Sequence, residues 1–444
     1  MNRNPRKALI LILAVSVALR VVAAVILGDK VIELPGTADQ ISYHTLALQV
    51  LGGHGFSFPR GWWPITAAGA PTAHWSFLYT FYLVAVYGIF GVHPIIARVL
   101  QAIIVGALHP YLAYRIGERV ASKTVGLVAA AITAIYAYFI YYSATLMTEP
   151  FFITAVMAAL YMAIVFADGV RKELGGSMKP TILIGLLLGL VFGAAVLLRQ
   201  LILLFVPLLF AWILWVALRN RTFWKAVAGL VVAGVVVGAM ILPFTLYNYA
   251  RFGRFVLLNT NSGYAFFWGN NPVYGTHFIP ILQDDQYLQM IPTDLKTLDE
   301  AALDQALMKR GMDYVVSHPK DYALLSLSRI PVYFMFWPST DSGAVSNLTR
   351  IASFGLFLPF MLGGLIVTIL RRKHAFWDAL ASPVFLLILF TGVYTLVHLL
   401  SWTLIRYRLP VDAVLLVFAS VFLVLLYQLA QNAGSRQNAG DAGR

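Results

Sequence analysis

Residues 181–218 read TILIGLLLGLVFGAAVLLRQLILLFVPLLFAWILWVAL, and the only charged side chain in this stretch is Arg199. On each side of the pair Arg199–Gln200 lies an apolar run of about 18–20 residues, which is long enough to cross a bilayer as a helix. The stretch therefore predicts two transmembrane helices joined by a short turn, with a basic residue at the turn.

The same pattern recurs along the whole chain. Of the 444 residues, 60% are hydrophobic and 11% are charged, whereas soluble domains rarely exceed about half apolar residues. We therefore predict an all-α polytopic membrane protein with about ten transmembrane helices. The expected helices are residues 8–27, 94–114, 125–142, 150–167, 181–198, 200–218, 224–246, 351–370, 378–399 and 411–428.

The net charge of +13 does not indicate a nucleic-acid partner, because most basic residues form short clusters between apolar runs. Such clusters are typical of the cytoplasmic loops of membrane proteins. Arg3, Arg6 and Lys7 place the N-terminus in the cytoplasm, ahead of a first span that we expect to be retained. Four clusters then fall on the cytoplasmic side: Arg115, Arg119 and Lys123; Arg171, Lys172 and Lys179; Arg219, Arg221 and Lys225; Arg371, Arg372 and Lys373.

Two apolar stretches, 75–90 and 322–337, are not counted as spans. Counting 75–90 would move three of the basic clusters to the outside, so we predict that both stretches are interfacial helices on the outer side. The predicted organisation is a transmembrane module 1–246 with a first external loop 28–93, an external region 247–350 with amphipathic helices, C-terminal transmembrane helices 351–428, and a disordered cytoplasmic tail 429–444.

The first external loop contains TADQISYHTLALQVLGGHG, residues 37–55. Thr37 followed by Gln40 is a capping-box pattern, which predicts a helix start. Asp39 then lies in the first turn, and Tyr43 lies one turn further along the same face. The helix dipole alone favours an acid at this position, so the spacing leaves both a structural and a catalytic role open for Asp39.

A second acid, Glu149, lies at the start of the fourth predicted span and is followed by Pro150. A first-turn acid near the interface is again the ordinary interpretation. However, Glu149 and Asp39 fall on the same side of the membrane, and a carboxylate at a lipid surface can serve as a general base.

Basic residues also lie on the outer side, where the positive-inside rule makes them unusual. Each one alone is explained by an ion pair or by contact with lipid headgroups. As a set on one face they favour an anionic ligand such as phosphate, for which guanidinium groups are suited. The set is Arg98, Arg199, Arg251, Arg254, Arg406 and Arg408, with Arg20 inside the first span.

Several stretches together resemble the GT-C membrane glycosyltransferases that use polyprenyl-phosphate sugars. The resemblance is to the family 39 branch, with protein O-mannosyltransferases and lipid A aminoarabinose transferases, and it covers most of the chain. The stretches are Asp39 with Tyr43, LMTEPFF (146–152), VLLRQLILLFVPLLF (196–210), NYARFGRFVLLNTNSGYAFFWGNNP (248–272) and RYRLPVDAVLLVFAS (406–420).

The resemblance implies a GT-C fold and an inverting sugar transfer at the external face, from lipid phosphate to an acceptor hydroxyl or phosphate. It implies Asp39 as general base and Glu149 as a second catalytic acid. The residues expected to bind the substrate or the lipid phosphate are Tyr43, His74, Arg199, Arg251 and Arg408.

Two positions depart from the family pattern. Many members have a second acid where this chain has Gln40, and some have a lysine where it reads Ala73–His74. No metal site is predicted, and the chain has no cysteine, which excludes cysteine metal sites and disulfides. The departures leave the donor and the need for a divalent cation open.

The expected partners are a polyprenyl-phosphate sugar, an acceptor that is a glycan, a lipid or a protein, and the lipid bilayer. The expected location is a prokaryotic cytoplasmic membrane, with the active site on the external face. The alternative is a transporter or flippase for an anionic lipid-linked sugar, which would be expected to show internal repeats. A membrane scaffold is the third class, and it needs no arginines clustered on the outer face.

Overall fold

A computed structural model of the protein describes residues 4–171, 178–280, 282, 284–340, 342–371 and 376–441. Regular structure within these residues is helical, apart from two isolated bridges in the first external loop. The helices are α1 (Pro5–Leu27), α2 (Asp39–Leu51), α3 (Phe77–Phe90), α4 (Pro94–Val120), α5 (Lys123–Ile135), α6 (Ala137–Ser143), α7 (Glu149–Arg171), α8 (Lys179–Leu198), α9 (Val206–Arg219), α10 (Phe223–Phe252), α11 (Ser262–Gly269), α12 (Asp284–Met290), α13 (Glu300–Ser317), α14 (Pro319–Tyr333), α15 (Ala344–Arg350), α16 (Leu356–Leu370), α17 (Phe376–Leu380), α18 (Pro383–Leu400) and α19 (Leu409–Asp441).

The transmembrane helices confirm the predicted all-α polytopic architecture. Nine helices in the described part of the chain are long and apolar enough to cross a membrane, and the bent pair α5–α6 supplies the tenth. Most run past the predicted bounds, because backbone hydrogen bonding continues beyond the hydrocarbon core. The predicted span 378–399 began too early, since the chain breaks at Ser382 and α18 begins at Pro383, a favoured first helical position.

The bend between α5 and α6 measures 55° and leaves carbonyl groups without helical partners. Tyr136 takes an extended backbone conformation at this break. The buried side chain of Arg20, from α1, donates hydrogen bonds to the carbonyl oxygens of Thr133 and Ala134, each at 3.0 Å. A cation at a helix C-terminus also interacts favourably with the helix dipole, so Arg20 stabilises a broken helix where water cannot solvate it.

Small residues let the helices pack closely, as is usual in membranes, where lipid provides little hydrophobic driving force for helix association. Gly185 of α8 lies against the backbone of Gly229 in α10, and Gly117 of α4 lies against Gly126 in α5. Gly364 of α16 lies against the Phe418 carbonyl group in α19. At each contact there is no room for a side chain, so glycine fixes the distance between the helices.

The two regions that the sequence predicts to be external lie at one end of the helix bundle, and we keep the name external regions for them. The first contains α2 and α3, and α3 has 14 residues, which makes it too short to count as a span. The second contains α11 to α14, and α14 covers most of the predicted stretch 322–337. The placement of α3 and α14 at the membrane interface stays a prediction.

Some boundaries differ from those expected. The predicted external region 247–350 begins inside α10, and its last residues belong to α15, which runs through a π-helical turn, Ile351–Gly355, into α16. The tail 429–444 was expected to be disordered, but α19 continues through it to Asp441. No proline interrupts this stretch. Residues 442–444, and the predicted cytoplasmic residues Arg3, Lys172, Arg372 and Lys373, lie outside the described residues.

We predict that Gly364→Ala lowers the thermal unfolding temperature of the detergent-solubilised protein. The added Cβ would overlap the Phe418 carbonyl oxygen, and overpacking of this kind costs about 1–3 kcal/mol. Gly392→Ala in α18 is the control, because a Cβ there meets no atom within 4 Å. Equal unfolding temperatures for the two variants would contradict the packing argument.

Candidate active site

The helix α2 presents Asp39 as its first residue, as predicted, but the predicted capping box does not form. The Thr37 hydroxyl group donates to the Leu34 carbonyl oxygen instead of capping the helix. The Gln40 side chain donates to Thr37 Oγ1 at 3.2 Å and to the Ile32 carbonyl oxygen. Both side chains therefore fix the turn that leads into α2.

Arg98, near the start of α4, also stabilises the turn that leads into α2. It donates to the carbonyl oxygens of Gly28 and Lys30 and to Gln40 Oε1, the last at 3.2 Å. Gln40 thus uses both its amide donors and its carbonyl oxygen. A glutamate at this position would lack the N–H donors, which explains physically why the chain has an amide beside Asp39.

Asp39 belongs to a chain of charged groups that comes from four distant segments. Arg406 Nη1 lies 2.8 Å from Asp39 Oδ2, and Arg406 Nε lies 3.6 Å from Glu149 Oε1. Arg199 Nη2 donates to the same Glu149 oxygen, and its Nε donates to Thr148 Oγ1 at 3.2 Å. Two acids and two guanidinium groups therefore alternate; we call these four residues the charge chain.

The ends of helices position the charge chain. Glu149 is the first residue of α7, and Arg199 lies in extended conformation between α8 and a 3₁₀ turn, Gln200–Phe205. Arg406 lies in another 3₁₀ turn, Ile405–Arg408, which precedes α19. Arg406 also donates to the Gly36 carbonyl oxygen at 3.2 Å and so joins α19 to the first external loop.

The two acids differ in the solvent exposure of their side chains. The Asp39 side chain is 26% exposed, whereas that of Glu149 is 2% exposed. Glu149 Oε2 and Arg406 Nε are buried without a hydrogen-bond partner among the described residues. A ligand can therefore reach Asp39, while Glu149 orients the two arginines.

Tyr43 lies one turn after Asp39, as predicted, and is buried between the rings of Trp75 and Tyr79. Its hydroxyl oxygen accepts a hydrogen bond from the Ser76 N–H at 3.4 Å. Burial raises the pKa of Tyr43, and the charge of Asp39 raises it further. Tyr43 is therefore a neutral phenol at physiological pH, with a hydroxyl proton that it can donate.

Two of the predicted phosphate-binding arginines lie elsewhere. Arg251 donates to the Phe56 carbonyl oxygen at 2.8 Å and to Tyr247 Oη at 2.9 Å, which joins α10 to the first external loop. Arg408 is fully buried and pairs with Asp412 at 2.9 Å. The charge chain contains neither of them.

The residue that the sequence interpretation did not select is Arg406, although it belonged to the set of outer arginines. Arg406 and Arg408 are two positions apart in a 3₁₀ turn, which has three residues per turn, so their side chains point in different directions. The sequence feature that could have excluded Arg408 is Asp412, one helical turn later. An acid at i+4 indicates that Arg408 is already paired and so is not free to bind a ligand.

His74 lies in an aromatic cluster formed by both external regions. Its ring centroid is 5.4 Å from Trp63, 5.2 Å from Trp75 and 5.5 Å from Tyr264. Burial lowers the pKa of His74, which keeps the imidazole neutral at physiological pH. The predicted contact of His74 with substrate stays a prediction. Trp75 lies between His74 and Tyr43, and the ring centroids of Trp75 and Tyr43 are 5.5 Å apart.

Glu300, at the start of α13, fastens the two external regions together. Its carboxylate accepts hydrogen bonds from the Ala73 N–H at 2.8 Å, from the Thr66 hydroxyl at 2.6 Å and from the Thr260 hydroxyl. Glu300 is buried and no cation pairs with it among the described residues. It therefore fixes the first external loop through neutral donors alone.

Asp304 extends this contact one helical turn further. Its Oδ1 accepts hydrogen bonds from the N–H groups of Gly263 and Tyr264, at 2.7 and 3.1 Å, at the start of α11. Burial raises the pKa of Asp304 to about 7, although both N–H groups act in the opposite direction. Asp304 is thus protonated in the folded protein at pH values where an exposed aspartate is not.

Within the described residues, no group of three or more histidine, aspartate or glutamate side chains is arranged to hold a metal ion. Asp39 and Glu149 each have a guanidinium partner instead.

Comparison with known proteins identifies the fold. Residues 74–247 match the sequence profile of the family described as dolichyl-phosphate-mannose-protein mannosyltransferase. No curated protein is significantly similar to the chain in sequence.

Solved structures match almost the whole chain at low identity. The archaeal oligosaccharyltransferase AglB from Archaeoglobus fulgidus, in complex with an inhibitory peptide and a dolichol-phosphate, matches with a TM-score of 0.60 and 17% identity, over 98% of this chain and 52% of its own. ArnT from Cupriavidus metallidurans bound to undecaprenyl phosphate matches with a TM-score of 0.51 and 14% identity, over 93% of this chain and 59% of its own. The chain spans about half the length of the structures it matches, and it has the GT-C fold.

The raised pKa of Asp304 makes the contact between the external regions dependent on pH. In the unfolded state Asp304 loses its proton near pH 4, whereas in the folded state it keeps the proton up to about pH 7. The bound proton therefore stabilises the folded state at pH 4, and this contribution is lost as the pH rises to about 7. Thermal unfolding of wild type and Asp304→Asn from pH 4 to 8 measures this. We expect the wild type to lose stability relative to Asp304→Asn as the pH rises.

The control for this experiment is Asp313→Asn, an exposed change on the same helix. A constant difference between wild type and Asp304→Asn across the pH range would contradict the assignment.

Proposed function

We propose that the protein is a membrane glycosyltransferase that moves a sugar from a polyprenyl phosphate to an acceptor at the external membrane face, with inversion at the anomeric carbon. The observation that carries this proposal is the charge chain, in which Asp39, Arg406, Glu149 and Arg199 meet from four separate segments. The acceptor is a hydroxyl group of a glycan, a lipid or a protein.

The charge chain supports a division of roles. Asp39 is the more exposed of the two acids, so it is the group that an acceptor hydroxyl can reach, and a positioned carboxylate can remove the hydroxyl proton. Arg406 contacts Asp39 through Nη1, which lies 2.8 Å from Oδ2. Arg199 and Arg406 present fixed guanidinium donors for the phosphate.

The proposed reaction is a single displacement. The acceptor oxygen forms a bond to the anomeric carbon while the bond from that carbon to the phosphate oxygen breaks, and the electron pair leaves with the phosphate. Asp39 takes the hydroxyl proton. Negative charge that develops on the departing phosphate is stabilised by Arg199 and Arg406, which Glu149 has already oriented.

The distribution of basic residues supports an external site. Glu149 begins α7, whereas Arg171 ends it, and Arg98 lies near the start of α4, whereas Arg119 lies at its other end. The positive-inside rule assigns the ends with Arg119 and Arg171 to the cytoplasm. The charge chain then lies on the outside.

The donor class is supported by what the similar proteins bind. The matching structures contain a dolichol-phosphate in one case and undecaprenyl phosphate in the other. Both are polyprenyl phosphates, and a hydrocarbon tail suits a site at the end of a transmembrane bundle.

The proposal predicts that Asp39→Asn abolishes sugar transfer while polyprenyl-phosphate binding is retained. Removal of a general base costs about 10²–10⁴-fold in rate, and the two arginines that hold the phosphate remain. The assay follows a radiolabelled polyprenyl-phosphate sugar with purified protein, and lipid binding is measured in parallel. The control is Asp313→Asn. An active Asp39→Asn variant, or a wild type that binds no polyprenyl phosphate, would contradict the proposal.

The proposal also predicts opposite phenotypes for two neighbouring arginines. Arg406→Gln should lose transfer and lipid-phosphate affinity but unfold closer to the wild-type temperature than Arg408→Gln does, because Asp39 is partly exposed and Glu149 keeps Arg199. Arg408→Gln should unfold earlier, because removing one partner of a buried ion pair costs about 3–5 kcal/mol and Asp412 is fully buried.

Adding Asp412→Asn to Arg408→Gln should restore part of that stability, since no buried charge is then left alone. If Arg406→Gln unfolds as early as Arg408→Gln and retains transfer, the assignment of Arg406 to the site is wrong.

A further inference from the structure

A buried histidine lies beside the charge chain without a role in the reaction described above. His398, near the end of α18, is 5% exposed. Its ring stacks on Tyr407 with centroids 4.9 Å apart, and the guanidinium carbons of Arg199 and Arg406 lie 5.3 and 5.5 Å from the same Tyr407 ring. His398 therefore shares one aromatic neighbour with both arginines.

One hydrogen bond fixes the protonation of this ring. His398 Nδ1 lies 3.2 Å from the Trp402 carbonyl oxygen. A carbonyl oxygen only accepts hydrogen bonds, so Nδ1 carries the proton, and in the neutral imidazole Nε2 then has a lone pair. Nε2 is buried and has no hydrogen-bond partner among the described residues.

Other polar atoms nearby share this property. The Tyr394 hydroxyl group, whose ring lies 4.9 Å from that of His398, and Glu149 Oε2 are also buried and without partners. Buried polar groups are nearly always hydrogen-bonded, and an exception in a native protein requires an explanation. Unpartnered polar atoms on the neighbouring rings of His398 and Tyr394 indicate that a polar group of the substrate binds there.

We propose that His398 Nε2 accepts a hydrogen bond from a hydroxyl group of the sugar that is transferred. The inference rests on the proposed function, in which the phosphate contacts Arg199 and Arg406. The sugar is bonded directly to that phosphate, so its hydroxyl groups lie within reach of the next side chains. The polyprenyl tail has no donor, and a lone pair repels phosphate oxygens, so the sugar is the part of the lipid that Nε2 can bind.

Two substitutions separate this role from a structural one. His398→Asn keeps an N–H donor where Nδ1 stands and so preserves the bond to Trp402, but it removes the Nε2 acceptor. His398→Gln places an amide oxygen near the Nε2 position and gives up the bond to Trp402. A substrate contact therefore predicts greater loss in His398→Asn, whereas a structural role predicts greater loss in His398→Gln.

The experiment measures kcat/KM for the donor that the wild type uses and for its monodeoxy analogues, each lacking one sugar hydroxyl. We expect His398→Asn to lower kcat/KM for the complete donor by about 10- to 100-fold, the range for a lost hydrogen bond that leaves a buried group unpaired. With one deoxy donor, wild type and His398→Asn should become equal, because the contact is absent from both. His398→Gln should retain more activity than His398→Asn.

The control is His109→Asn, which changes another buried histidine whose Nε2 has no partner but which packs on Phe139 inside the bundle. Its kinetics should match the wild type. Equal loss in His398→Asn on every donor, or no loss on any, would overturn the assignment of His398 and leave the proposed function standing. A wild type that transfers no sugar from any polyprenyl phosphate would overturn both.

Discussion

Helices that end inside or beside a bilayer leave carbonyl groups without partners, and buried arginines supply these partners throughout this protein. Arg20 binds two carbonyl groups at the end of α5, and Arg329 binds those of Leu399 in α18 and Gly269 in α11. Arg408 donates to the Tyr333 carbonyl oxygen at 2.7 Å. Unsatisfied backbone groups are too costly in lipid, so these contacts fix where the helices break and how the external regions attach to the bundle.

This use of arginine explains the composition of the candidate site. Most of the outer arginines contact backbone or a loop acid, and the two that meet Asp39 and Glu149 are Arg199 and Arg406. Even Arg406 retains a bond to a backbone carbonyl group, that of Gly36. The site is therefore built at helix ends, where the broken backbone already requires guanidinium groups.

The transmembrane helices were predictable because bilayer thickness sets the length of an apolar run, and hydrocarbon excludes charge whatever the fold. The position of Asp39 in the first turn of α2 was predicted correctly, although the capping box from which it was derived does not form. The bend at Tyr136 was not, because neither proline nor glycine marks it and its partner, Arg20, is more than a hundred residues away. The choice of Arg406 over Arg408 was partly predictable, because Asp412, one helical turn after Arg408, indicates that Arg408 is already paired. That Arg406 meets Asp39 was not predictable, since only tertiary packing brings these two side chains together.

The most direct test of this account is an experimental structure of the protein with bound polyprenyl phosphate. The account predicts that the phosphate contacts the guanidinium groups of Arg199 and Arg406, with Asp39 beside it on the exposed side. A phosphate bound at Arg251, or at the opposite end of the bundle near Arg171 and Arg219, would contradict it, because the charge chain would then be a structural ion-pair network.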